Sequence, residues 1–182
     1  MIFNIISAHL RSPSNTLMPT SDPRHDAIAE LTHDHSQLSA LVIAVGSVLQ
    51  RVQSEPSTMH DVVDELGGRA ELLREGLLAH FAREEEALFP FVDRQLPALK
   101  DRIRGLIADH DAVVRAAAEL ARAATQMNAN AESGVAQCVS SFESFEQIYA
   151  EHAKMEHTFL ADVDAALDDE ARATLRTVLN QT

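Results

Sequence analysis

The residues of this chain best suited to do chemistry are a few histidines and glutamates set at helical spacing. Two of them lie in the run Ala79-His80-Phe81-Ala82-Arg83-Glu84-Glu85-Glu86-Ala87-Leu88-Phe89-Pro90. On an α-helix His80 and Glu84 are one turn apart and offset by about 40° around the axis, so both reach the same small ligand. An imidazole and a carboxylate so placed are metal donors. With nine histidines in the chain, one such pair would arise by chance, and the weight comes from its repetition. The pair returns as His152-Ala153-Lys154-Met155-Glu156, and each pair is preceded by a single histidine in matching context, Asp34-His35 and Asp109-His110.

The elements that must position these residues read as helices. Few Gly and Pro, no Trp and almost no alternating β-branched run predict an all-α protein of one domain. The first helix is expected to begin at Asp22-Pro23, a cap followed by a proline at the first helical position, and to carry the seam Ile28, Leu31, His35, Leu38, Val42, Val45, Leu49. After Ser54-Glu55-Pro56-Ser57 a second seam runs Met59, Val63, Leu66, Ala70, Leu73, Leu77, His80, Glu84, Ala87, Phe91. The third begins near Pro97 and reads Leu99, Ile103, Leu106, His110, Val113, Ala117, Leu120, Ala124, Met127, ending in Asn128-Ala129-Asn130. The fourth, after Glu132-Ser133-Gly134, reads Val135, Cys138, Phe142, Phe145, Tyr149, His152, Glu156, Phe159, Val163. A short last helix capped by Asp168 carries Leu175, Val178 and Leu179. Four long helices with short connections make an up-down-up-down four-helix bundle over residues 22–182, preceded by a flexible tail at residues 1–21.

In that topology the polar seam residues share one height. His35 and His110 lie about 12 and 13 residues into their helices, roughly 18 to 20 Å. The two His-Glu pairs lie about 8 to 13 residues from the far ends of theirs, roughly 12 to 20 Å. A lone buried histidine is ordinarily a core residue bonded to a backbone carbonyl. Four imidazoles and two carboxylates in one apolar layer would instead cost several kcal/mol each unless paired or metal-bound. A salt-bridged layer without metal is the structural alternative. The pseudo-twofold set suits two metal ions with Glu84 and Glu156 between them. Mixed nitrogen and oxygen donors favour iron, manganese or zinc over magnesium or calcium. Two divalent ions against two carboxylates leave positive charge in the site, which favours small anionic ligands and oxygen chemistry.

A formal charge of −13 argues against nucleic acid and anionic membrane partners, which require a basic footprint. The apolar start Ile2-Phe3-Asn4-Ile5-Ile6 is too short for a signal segment, no stretch reaches membrane-spanning length, and the single cysteine, Cys138, fits a reducing compartment. A cytoplasmic protein is expected.

With these motifs in hand, the chain resembles the hemerythrin-like (HHE cation-binding) family. The resemblance rests on His80-Phe81-Ala82-Arg83-Glu84-Glu85 with Leu88-Phe89-Pro90, on Asp34-His35 and Asp109-His110, and on His152 with Glu156, and it covers about residues 22 to 165. It implies an oxo- or hydroxo-bridged non-haem di-iron site, with His35 and His80 on one iron, His110 and His152 on the other, and both glutamates bridging. Oxygen-carrying members have a second histidine one turn after the third-helix ligand, where this chain has Val114. The four-His, two-Glu set is instead similar to that of iron-sulfur-cluster repair proteins and of iron- and oxygen-sensing domains. His157 stands where the family often repeats a glutamate. The expected function is binding or reduction of a small oxygen or nitrogen species (O2, H2O2 or NO) in sensing, detoxification or iron handling. A structural or iron-sensing metal module and an iron donor for cluster repair are the alternatives.

Of the remaining residues, Tyr149 is one turn before His152 and could donate a hydrogen bond to a bound oxygen species or simply pack in the core. Asp34, Asp109 and Glu151 are candidates to accept the outer N–H of ligand histidines. His157 and His33 are expected to face away from the layer, His9, His25 and His60 lie too far along the chain, and Cys138 is expected to pack in the core.

Overall fold

The computed structural model describes residues 27–54, 59–127 and 131–181, together with the side chains of all but 59–61 and 131–133 among them. The expected tail at residues 1–21, the start at Asp22-Pro23, and Asn128-Ala129-Asn130 lie outside the described residues, as do His9, His25 and the side chain of His60.

Helix α1 spans Ala27–Ser54 and buries Leu31, Leu38, Val42, Val45 and Leu49, the expected seam. Helix α2 spans Met59–Arg83, passes through a π-helical turn at Glu84–Leu88 and continues as α3, Phe89–Gln95. Leu96 leaves the α region, as a residue before proline prefers, and a 3₁₀ turn at Pro97–Leu99 leads into α4, Lys100–Gln126. Helix α5 spans Ala131–Ala166, and α6 spans Asp169–Leu179. The α1 rod packs on α2 and α5, and α4 packs on the same two, which closes a ring of four antiparallel rods. The all-α bundle with a short C-terminal helix is thus as expected. No helix of the described residues is long and apolar enough to cross a membrane.

Two departures from the simple seam have physical causes. Pro90 lacks an N–H, and its ring would strike the carbonyl four residues back in a regular α-helix. The chain widens one turn earlier, where the Phe89 N–H donates to the Glu84 carbonyl five residues back. The single seam predicted through Ala87 and Phe91 therefore broadens, and Leu88, Phe89 and Val92 are buried as well. Gly134, expected in a connection, lies inside α5, where an added Cβ would fall 2.9 Å from the Met127 Cα. A side chain there would push α4 and α5 apart.

Candidate metal centre

The six polar residues interrupt the apolar seams at one level. Leu31 and Leu38 flank His35, Leu77 and Leu88 flank His80 and Glu84, Leu106 and Val113 flank His110, and Tyr149 and Phe159 flank His152 and Glu156. In each case the two flanking residues belong to different apolar clusters. The polar side chains thus form a layer that divides the core in two.

Within the layer the donors sort into two groups. Glu84 Oε1 is 3.5 Å from His80 Nε2, while its Oε2 is 3.3 Å from His110 Nε2. Glu156 repeats the pattern: Oε1 is 2.8 Å from His35 Nε2 and 3.7 Å from His80 Nε2, and Oε2 is 3.3 Å from His152 Nε2. Each carboxylate turns one oxygen to the His35/His80 pair and the other to the His110/His152 pair. The imidazoles of each pair meet edge-on, with centroids 4.6 Å apart in the first and 4.9 Å in the second. One ligand atom from each of His35, His80, Glu84 and Glu156 falls within 4.8 Å of the others. That is close to the width of the ligand shell of one first-row metal ion, roughly 4 to 4.5 Å.

Few polar atoms of the layer satisfy one another. His80 Nδ1, both Glu84 oxygens, His110 Nε2, both ring nitrogens of His152 and Glu156 Oε1 are buried without a hydrogen bond. Leaving such atoms unpaired costs roughly 1 to 3 kcal/mol each. His35 Nε2 sits 2.8 Å from both His80 Nε2 and Glu156 Oε1, yet a ring nitrogen carries at most one proton and cannot serve both. Converging nitrogen and oxygen lone pairs of this kind fit a cation of the iron, zinc or manganese class.

Electrostatics divides the two carboxyls. Burial, reinforced by the charge of Glu156 beside it, holds Glu84 well above the ordinary glutamate range. Burial would raise Glu156 too, but Glu84 and the imidazoles of His152, His35 and His80 outweigh it and hold Glu156 well below that range. Burial thus disfavours the charged form of Glu84, while its neighbours favour that of Glu156. Burial also lowers the His110 pKa and keeps that imidazole neutral, the form that ligates metal.

The surroundings of the layer are uneven. The side chain of His35 is 20% exposed, whereas those of the other five residues are at most 4% exposed. His35, expected in the core, instead reaches the surface at the α1 face. Beside it Arg83 binds Asp34 at 2.6 Å and approaches Glu30 at 3.8 Å, which ties α2 to α1 at the rim. On the opposite side His110 Nδ1–H donates to Glu85 Oε1 at 2.7 Å. Its ring stacks on Phe81 at 3.8 Å between centroids and on Phe89 at 5.7 Å.

The carboxylate on an outer imidazole nitrogen is therefore Glu85, and not the Asp34, Asp109 or Glu151 suggested by sequence. Asp34 is taken by Arg83, and neither Asp109 nor Glu151 bonds an imidazole among the described residues. Spacing alone gave no sign of Glu85. His157 is exposed, and His33, also exposed, bonds Gln37, as expected. Tyr149 is buried with a raised pKa: burial is the main cause, Ser39 hydrogen-bonds its hydroxyl in the opposite sense, and the charges of Glu156 and Glu84 add to the rise. Cys138 packs in the core with its thiol pushed up to about 11 by burial.

Compared with known families, residues 26–179 match the family model described as the hemerythrin HHE cation binding domain. Neither the curated proteins nor the solved structures yield a match.

Proposed function

The chain belongs to the hemerythrin HHE cation-binding domain family, and on that premise we propose that it is a non-haem di-iron protein that binds or reduces O2, H2O2 or NO. In this reading His35 and His80 hold one iron, His110 and His152 hold the other, and Glu84 and Glu156 span the two. The observation that carries it is the division of each carboxylate, with one oxygen facing each histidine pair. A salt-bridged layer without metal would pair its own polar atoms, and most of these are orphaned.

When bound, a pair of irons supplies redox-active, Lewis-acidic centres with positions left open for a small ligand. The chain supplies the rest. His35, the one partly exposed member of the layer, at the α1 face, marks the side from which a small molecule reaches it. Phe81, Phe89 and Phe159 line the buried side and exclude water. Burial keeps the Tyr149 hydroxyl protonated, so it stands one turn from His152 as a neutral O–H donor. Sensing, detoxification or iron handling would each use such a site.

The test is anaerobic loading with Fe(II), metal analysis, then rapid mixing with O2, peroxide and NO. Two irons per chain and a spectral response to at least one ligand are expected. Fewer than two irons, or no response to any of the three, overturns the reading.

A further inference from the structure

The two histidine pairs differ in how firmly their outer nitrogens are held. His80 Nδ1 and His152 Nδ1 are buried without a partner, and His35 is partly exposed. Among the described residues, only His110 of the four donates its outer N–H to a carboxylate, that of Glu85. Glu85 reaches it from the surface, with its side chain 41% exposed while His110 is 3% exposed. It follows Glu84 within the π-helical turn, so neighbouring residues of one widened turn address opposite nitrogens of the same ring: Glu84 Oε2 at Nε2 and Glu85 Oε1 at Nδ1.

From this geometry we infer that Glu85 is a positioning residue that makes the His110/His152 position the tighter of two metal positions, leaving His35/His80 as the one that exchanges. The inference rests on the two-ion reading above. A carboxylate on Nδ1–H fixes the tautomer with the Nε2 lone pair aimed into the layer, and it draws on the outer proton so that Nε2 becomes a stronger donor. The stack on Phe81 holds the ring plane, so little freedom is left to lose on metal binding. Phe81 also braces His152 edge-on at 5.3 Å. The His35/His80 pair has no corresponding carboxylate among the described residues, and its outer member meets solvent.

Chelator challenge of the full chain loaded with Co(II) tests this, with visible absorption and released metal followed together. Two ions are expected to leave in two phases of one equivalent each. Glu85→Ala should speed the slow phase by about 10- to 100-fold and leave the fast phase in place, the usual effect of removing an outer partner of a ligand histidine. Glu85→Gln, which still accepts from Nδ1–H, should fall between wild type and Glu85→Ala. Glu86→Ala removes the same charge one residue along the chain and should change neither phase. His35→Ala should abolish the fast phase and keep the slow one. Circular dichroism checks that each variant is folded, and the exposure of Glu85 makes its substitution mild. Release in one phase, or a Glu85→Ala variant whose slow phase is unmoved, overturns this inference and leaves the two-ion reading standing. A wild-type chain that takes up fewer than two ions overturns both.

Discussion

Two kinds of interior share the same four rods. The apolar cluster from Leu38 to Tyr149 is built of side chains such as Leu73, Leu120 and Phe145 that are wholly buried and touch their own kind. The adjacent layer, buried except at His35, follows the same helical rhythm but holds imidazoles and carboxyls. Burial of one leucine or phenylalanine stabilises the fold by about 1.5 to 3 kcal/mol, whereas an unpaired buried polar atom opposes it by a similar amount. The difference teaches that helical periodicity sets where a side chain goes, and residue type sets whether that place stabilises the bundle or needs a ligand to do so.

The largest effect should come from the apolar side. Phe145→Ala is expected to cost about 3 to 5 kcal/mol in urea denaturation, and the same amount with and without metal. A loss that depended on metal would erase the distinction between the two interiors. Metal removal tests the other side. With free ion at about ten times its dissociation constant, each of two ions should add about 1.4 kcal/mol, together about 3 kcal/mol, read as a fall in melting temperature on chelation and its recovery on reloading. An unchanged melting temperature would mean that the layer holds itself together.

The contrast also explains what was legible in the sequence. The bundle, its seams and the common height of His35, His80, His110 and His152 followed from three- and four-residue spacing, because buried positions must recur at the helical period. Glu84 and Glu156 followed for the same reason. The π-helical turn was not readable from periodicity, since it is the point where the period changes, and only Pro90 marked its cause. Glu85 was missed with it, because its partner His110 belongs to another helix and no local spacing connects them. Side-chain exposure of His35 depends on the packing of neighbouring helices, which a single-helix seam does not encode.

Glu84→Gln sharpens the comparison at a smaller magnitude. In the metal-free protein the folded-state pKa of Glu84 is raised above the glutamate value of 4.5. Above that value the unfolded chain has lost a proton that the folded chain still holds, so stability falls as pH rises until Glu84 itself ionises. Glu156 has the opposite sign: its lowered pKa gives stability that is lost as pH falls below the ordinary glutamate range. Glu84→Gln should remove the first slope and leave the second. Near neutral pH the metal-free variant should be more stable than wild type, because Gln is neutral without taking up a proton on folding, while metal uptake is weakened. Denaturation of both proteins across pH 4 to 8 measures it, and parallel curves would show that Glu84 does not carry the proton.

The smallest expected effect lies farthest from the layer. Asp168 caps α6 by accepting the Ala171 N–H at 2.9 Å, and α6 buries Leu175 and Leu179 in the second apolar cluster. Asp168→Ala should cost about 1 kcal/mol, the ordinary worth of an N-cap, and should leave metal stoichiometry and both release phases unchanged. The expectation follows from the division of the core: loosening one lid of an apolar cluster removes packing there, while the donors are fixed by α1, α2, α4, α5 and the π-helical turn. Faster metal release in this variant would mean that the second cluster and the layer move as one body, and the two interiors would then have to be treated as a single cooperative unit.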